Sequence, residues 1–486
     1  MERDVPEWVL RHKKKGVDIR LIKNCYYAYS RHSVWDSEKK RARTITDGYI
    51  GKITPDGIVK SKHQKIIQEI SRSTIKEYGA SKLIFELNKE IIAKLKEAFP
   101  DLWQFIFSLA VQRFFYSSPL KNMQTHFSYS NLSNEFPQIT LSPKISSEVL
   151  KAVGSDRNRI VEFLKKLMIG SEHLIVDLTA IYSQAENSTY PTFGHNSQNE
   201  YLPQINMLLL FSKDKNKPIY FRLLPGSIVD ISSIKLTLEE SEVSNAVFVG
   251  DKAFYSESNV NSIKSFVSKY ILPLRRNLAM IDYSPTRSFT KKAFGGHFFF
   301  ENRVIWFKEK KKDEDRVILF LDESLKVSEQ RGFLERIKAK TSEDTMENFH
   351  EKENTFGTIS IITNTSYSAE EVYSFLKSRL HIESAFDTFK NTLEADKTYM
   401  RTDHHFQGWC FINFLSLYLY YSIYGLLLSN KLLNNFSPKD VILHFSKVHK
   451  IKLKDKEIIT EIPKTVRILI EKMKLDEDIL VKKKTD

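Results

Sequence analysis

Two acids interrupt otherwise apolar runs, Asp177 in His173-Leu-Ile-Val-Asp177-Leu-Thr179 and Asp251 in Asn245-Ala-Val-Phe-Val-Gly-Asp251. A carboxylate withdrawn from water is costly unless it is paired, hydrogen-bonded or on a metal. Taken singly, each has a local explanation: Asp177 can bond Thr179, and Asp251 can cap the turn after its strand. A third acid, Glu383, sits on a charged stripe. With Glu383 at zero on a helical wheel, Arg379, Asp387 and Lys390 fall within about 40° of it. That stripe alone also reads as a solvated face with i,i+4 pairs such as Arg379/Glu383. Together, three carboxylates from two strands and one helix can converge on two Mg²⁺ (or Mn²⁺) ions, which take oxygen ligands. Two such ions about 4 Å apart activate a water or a 3′-hydroxyl and stabilise the leaving oxygen of a phosphodiester. Arg379, through its fork, and Lys390, as a point charge, would then hold phosphates beside them.

These residues need particular elements to position them. Ser368 and Glu371 make a capping-box pattern that opens a helix over 368–393. On it Phe375, Ile382, Phe386, Phe389 and Leu393 form one apolar stripe facing a core. Asp177 lies in a buried strand. Ile205–Phe211 and Pro218–Leu224, joined by a polar turn at 212–217, read as a hairpin, so three consecutive strands are expected to be antiparallel. A short helix at 234–240, a strand ending on Asp251, a helix at 260–268 and a strand at 270–274 follow. Strands are expected at Phe298–Phe307, Arg316–Leu321 and Gly357–Thr363, with a charged helical piece over 322–350.

Upstream, 1–70 reads as strands and turns, punctuated by Gly48, Gly51 and Asp56-Gly57, with a basic run at Lys39, Lys40, Arg41 and Arg43 that is a candidate DNA contact or plain solvated surface. From about 80 to 168 the period is helical; Leu83, Leu87, Ile91 and Leu95 recur every fourth residue. The 486-residue chain carries a net charge of +14, which favours polyanionic partners, nucleic acid first. Its two cysteines, Cys25 and Cys410, have no metal-ligand spacing, which argues against a disulfide framework or structural zinc and fits a reducing compartment. The N-terminus lacks a signal-peptide apolar region, so a cytoplasmic, nucleoid-associated location is expected. The uncharged stretch 408–428 is long enough to span a bilayer, but its polar interruptions and central tyrosines favour a buried core helix and no membrane partner.

Arg379-Leu-His-Ile-Glu383 and Phe386-Asp-Thr-Phe-Lys390 match the last three positions of the pattern Tyr-x2-Arg-x3-Glu-x6-Lys. With Val176–Thr179, Val249–Ser256 and Gly226–Asp230, the chain resembles the DDE insertion-sequence transposases that carry this signature. The resemblance implies an α/β fold: an RNase H-like mixed sheet core flanked by helices, with a β-rich insertion and a helical N-terminal region. It implies Asp177, Asp251 and Glu383 as the catalytic, metal-binding triad for two Mg²⁺ (or Mn²⁺) ions. Arg379 and Lys390 would contact DNA. The signature Tyr position holds Leu376, so Tyr373, one turn earlier, is the expected substitute DNA contact. The implied segments are 1–70 (strands, candidate DNA contacts), 71–168 (helical, DNA-binding), 169–279 (first part of the core), 280–366 (insertion), 367–430 (second part of the core) and 431–486 (basic C-terminal region). The implied function is cutting of element ends in double-stranded DNA and joining of the 3′-hydroxyl to target DNA by a homodimer on DNA. Its alternatives are an inactive or weakly active transposase-derived DNA-binding protein and a nuclease without strand transfer.

Overall fold

The computed structural model describes residues 5–65, 73–183, 185, 187–195, 201–227, 231–242, 247–266, 269–288, 290–340, 344–453 and 456–480. Two compact units emerge, one of residues up to Lys76 plus His449–Glu461, the other of Glu77–Val448 plus the residues from Ile462 onward. This differs from the six segments above. The helical region and both parts of the core share one unit, and part of the C-terminal region joins the first.

The first unit holds an antiparallel sheet of β1 (Val17–Ile22), β2 (Cys25–Asp36), β3 (Arg41–Thr54) and β4 (Gly57–Val59) in sequence order. Its small core is Val9, Ala28 and Ile53, with Trp8, Tyr26 and Ile50 packed against it. The tight β3–β4 turn closes at Thr54 and Gly57, where Gly57 has φ +130°, a backbone that L side chains rarely adopt. β5 (Thr74–Glu77) belongs to a three-stranded sheet with His449–Leu453 and Lys456–Ile459.

The second unit is built on ten strands: β6 (His173–Tyr182), β7 (Thr192–His195), β8 (Tyr201–Ser212), β9 (Lys217–Pro225), β10 (Val247–Val249), β11 (Lys269–Leu274), β12 (Gly296–Phe300), β13 (Arg303–Lys312), β14 (Asp315–Asp322) and β15 (Thr358–Thr363). Their order is β12-β13-β14-β15-β11-β10-β6-β8-β7, with β9 also paired to β8. β6, β8 and β9 are consecutive antiparallel neighbours, as the hairpin pattern predicted. β10 runs parallel to both β6 and β11. The strands expected of an insertion continue this same sheet, because β15 pairs antiparallel with β11 on one side and β14 on the other. The expected single strand Phe298–Phe307 is two strands, since Glu301 and Asn302 both take positive φ, 46° and 63°, and reverse the chain. The Gly226–Asp230 motif runs into 228–230, and the strand ending at Asp251 starts at 245–246. Both pieces lie outside the described residues.

The uncharged stretch lies within the helix Asp403–Ser429. By length and composition it could cross a membrane, yet 67% of its most apolar window is buried inside the fold. It packs on the helices Trp103–Tyr116 and Pro143–Gly154 and on β9. Two glycines make the closest approach: a Cβ on Gly408 would stand 2.0 Å from the Leu150 carbonyl oxygen, and one on Gly154 would stand 1.8 Å from that of His404. The four-residue apolar period of 83–95 is divided at Asn88 into helices Gly79–Leu87 and Lys89–Ala98.

Candidate active site

Parallel pairing brings two of the acids together. Val249 pairs with Ile175, so Asp251, just past the carboxyl end of β10, and Asp177, midway along β6, each stand two residues beyond the last matched pair, on strands about 4.8 Å apart. Gly250 links β10 to Asp251 where a Cβ would meet the Phe248 ring at 2.7 Å and Leu272 at 2.8 Å. Asp177 pairs with Leu209 of β8 across the other edge, and its Oδ1 accepts from the Leu178 amide at 2.9 Å.

The helix carrying Glu383 starts as the sequence predicts. Ser368 and Glu371 form a reciprocal capping box ahead of Ala369–Lys377. After Ser378 the chain continues as a second helical segment, Arg379–Asp387. Phe375, Ile382, Phe386, Phe389 and Leu393 are all buried, and the second segment packs across β6 and β8. Its apolar stripe thus seats Arg379 and Glu383 over Asp177 in the middle of β6 and Asp251 past the end of β10.

Arg379 is the hub. Its Nη2 donates to Asp177 Oδ2 at 3.2 Å and to Asp251 Oδ2 at 3.3 Å, and it lies 3.9 Å from Glu383 Oε1. Three carboxylates from three separate stretches therefore converge on one nitrogen, well inside the about 10 Å spread beyond which they could not share a metal pair. The Arg379 side chain is 12% exposed and that of Glu383 54%, so the cluster opens to solvent on the helix side. The Arg379 Nε is buried with no hydrogen-bond partner. Burial raises the Asp177 pKa above the ordinary aspartate value, and the Arg379 charge only partly opposes it. With three acids and one guanidinium, the cluster has an excess of negative charge.

Among the described residues, no group of three or more His, Cys, Asp or Glu side chains is arranged to hold a metal ion. The three carboxylates point at a guanidinium instead. Their all-oxygen donor set nonetheless fits a hard divalent ion such as Mg²⁺ or Mn²⁺, and the point on which they converge already holds a cationic group.

The other two candidates lie elsewhere. Lys390 falls in a π-helical turn, Thr388–Thr392, whose i→i+5 winding departs from the wheel that aligned it with Glu383. It makes no ion pair with the acids; burial lowers its pKa, and Asp396 opposes that effect. Tyr373 corrects an expectation. It is 0% exposed and packed among the rings of Phe298, Phe300 and Phe320, so it offers no surface to a phosphate. Its apolar neighbours come from β12 and β14, whose place in the central sheet is not visible in the local helical pattern. Sequence reasoning also missed that Arg379 grips all three acids. The i,i+4 spacing to Glu383 was the one available signal.

Residues 169–419, just over half of the chain, match the family described as Transposase DDE domain. Comparison with curated proteins returns no match. Among solved structures, the chain is similar to a piggyBac transposase synaptic complex with hairpin DNA, at 11% identity and a TM-score of 0.38 over 75% of this chain and 79% of that one. It also overlaps a Mos1 transposase paired-end complex with left transposon end, at 12% identity and a TM-score of 0.14 over 33% of this chain and 56% of that one. By the family match, with the acids delivered from the middle of β6, the end of β10 and a helix, the chain belongs to the DDE transposases.

Proposed function

We propose that the chain is a metal-dependent DNA transposase that hydrolyses a phosphodiester at element ends and joins the freed 3′-hydroxyl to target DNA. The observation that carries this reading is the convergence of Asp177, Asp251 and Glu383 on one nitrogen of Arg379. The strand order β9-β8-β6-β10-β11, two antiparallel pairings followed by two parallel ones, supports an RNase H-like core. The Arg-x3-Glu-x6-Lys spacing supports the insertion-sequence group.

In this reading Asp177, Asp251 and Glu383 hold two Mg²⁺ or Mn²⁺ ions, which when bound supply an activated water or 3′-hydroxyl and stabilisation of the leaving oxygen. Asp177 is fixed by its strand and its Leu178 hydrogen bond. Glu383, on the exposed side, has the freedom to adjust. Arg379 offsets part of the acids' charge at rest, then turns its fork onto a backbone phosphate of the bound DNA. Lys390 is assigned a phosphate contact from its spacing to Glu383. The net charge of +14 supports double-stranded DNA as the partner, and pairing two DNA ends calls for a homodimer on DNA.

The test is an assay on duplexes carrying the element's own ends with Mg²⁺ or Mn²⁺. Wild type should give joined 3′ products, while Asp177→Ala, Asp251→Ala and Glu383→Ala should not. Cleavage surviving all three substitutions would refute the triad. Nicks without joining would point to a nuclease, and binding without cleavage under either metal to an inactive descendant.

A further inference from the structure

We propose that the outer half of the β2–β3 hairpin, residues 31–46, is a β-ribbon that lies in a groove of duplex DNA. The inference rests on the transposase reading for the identity of the nucleic acid. Its starting point is a structural imbalance. β1 pairs with β2 only as far as Ser30, and β4 pairs with β3 only from Lys52 to Thr54. Beyond these points the strand pairing joins the two strands only to each other, from Arg31 opposite Thr46 to Asp36 opposite Arg41, with outside hydrogen bonds at the base, from the Arg31 amide to the Gly16 carbonyl at 2.8 Å and from Arg20 to the Thr46 hydroxyl at 2.7 Å. Residues Arg31–Trp35 and Arg41–Thr46 are all exposed, so neither face of the ribbon covers a core. An isolated two-stranded hairpin is marginal in water. It is held from its base, where Ala28 and Ile53 join the small core of the unit.

Charge selects the occupant. Residues 31–46 carry five cations, Arg31, Lys39, Lys40, Arg41 and Arg43, against Asp36 and Glu38. Asp36 is committed to the turn, accepting from the Lys39 amide at 3.0 Å. Among the described residues, the side-chain contact of this stretch with an acid outside it joins the His32 ring to Asp47 at the base, leaving the five cations without an acidic partner. Arg41 and Arg43 flank the turn, with Lys39 and Lys40 at its tip. Trp35, 67% exposed, lies opposite Ala42 on one face, with Val34, 43% exposed, on the other. A two-stranded ribbon fits the major groove, about 12 Å wide, where basic side chains reach phosphates and an aromatic ring packs against bases or sugars. A second copy of the ribbon would bring like charges together.

The test uses the full chain in two forms. One replaces Lys39, Lys40, Arg41 and Arg43 by Ala. The other joins Ser33 to Thr44 through Asn-Gly, a two-residue turn suited to hairpins, which keeps the base of the ladder. Binding to a labelled mixed-sequence duplex of about 30 base pairs is followed by anisotropy between about 50 and 200 mM salt. Both variants should bind at least about tenfold more weakly at low salt, with the slope of log K against log salt shallower by about 2–4, and should keep the wild-type melting temperature. Wild-type affinity and slope in the quadruple variant would overturn the proposal, as would loss of self-association with DNA binding unchanged. If wild type cuts DNA while the ribbon variants bind as it does, only the ribbon assignment falls. A wild-type chain that neither binds nor cuts duplex DNA overturns both readings.

Discussion

Arg379 and Glu240 are hubs of opposite kind. At Glu240 one carboxylate is held by two guanidiniums and a phenol: Arg157 Nη2 at 2.9 Å, Arg222 Nη1 at 3.4 Å and the Tyr220 hydroxyl. At Arg379 one guanidinium is shared by three carboxylates. The titration of the acids follows. Burial works to raise the Glu240 pKa, but its hydrogen bond and charge pairing with Arg157 prevail and hold it below the ordinary glutamate range. Asp177 is raised by burial, and a shared Arg379 does not reverse the effect. The Glu240 cluster ties the helices Arg157–Met168 and Ile231–Ser241 to β9 and needs nothing further to balance its acid. The Arg379 cluster retains uncompensated negative charge, which suits a site that receives divalent cations and does not suit a structural strut.

Substitutions should separate the two clusters. The largest effect is expected on chemistry: Asp251→Asn or Asp177→Asn should lower DNA cleavage at least about 10³-fold, roughly 4 kcal/mol in the barrier, measured in single-turnover assays. Glu240→Ala should do the reverse. It removes the one acid that Arg157, Arg222 and the Tyr220 hydroxyl share, leaving Arg157 the Phe221 carbonyl and the Tyr220 oxygen, and should cost on the order of 3 kcal/mol of stability in denaturant titration, while the folded fraction cuts at the wild-type rate. Unchanged stability there would remove the structural half of the contrast.

A third buried acid extends the comparison to a site with no cation. Glu77 is balanced only by hydrogen bonds from Ala80, Ser81 and the Ser81 hydroxyl, and burial raises its pKa to about 6. A carboxyl with a raised native pKa holds its proton more tightly in the folded state. Its stabilising contribution is therefore full below the unfolded value near pH 4.5 and is lost as pH rises through about 6. Between these limits wild type should lose about 2 kcal/mol relative to Glu77→Gln, read from paired denaturation curves. Arg379→Ala should tighten Mn²⁺ binding in the absence of DNA about tenfold, near 1.4 kcal/mol, because the guanidinium competes for the same oxygens. Weaker binding would mean that Arg379 organises the acids instead. Smallest of all, Tyr373→Phe should change stability by less than about 0.5 kcal/mol and leave DNA affinity intact, since its hydroxyl is buried without a partner.

The local patterns that reached the page from sequence were those set by neighbouring residues. The capping box at Ser368, the apolar stripe from Phe375 to Leu393 and the β8–β9 hairpin follow from short-range period and turn chemistry. Asp177 and Asp251 stood out because an acid inside or at the end of an apolar run needs an explanation. What stayed hidden depends on contacts distant in the chain. β15 returns to pair with β11 and joins the supposed insertion to the central sheet. Tyr373 is buried by rings from β12 and β14. The π turn that displaces Lys390 from the wheel, closed by the Leu393 amide donating to the Thr388 carbonyl at 2.9 Å, is announced by no residue type.

The central claim, that the acids serve chemistry and not the fold, is tested by one paired measurement on Asp251→Asn/Glu383→Gln, which leaves Asp177 to pair with Arg379. Thermal unfolding and Mn²⁺-dependent DNA cleavage are followed on the same preparation. The account predicts cleavage at background with a melting temperature equal to or above that of wild type, because Asp177 still pairs with Arg379 while the substitutions relieve repulsion among carboxylates that share one guanidinium. A lowered melting temperature with cleavage retained would contradict it and make the cluster a strut.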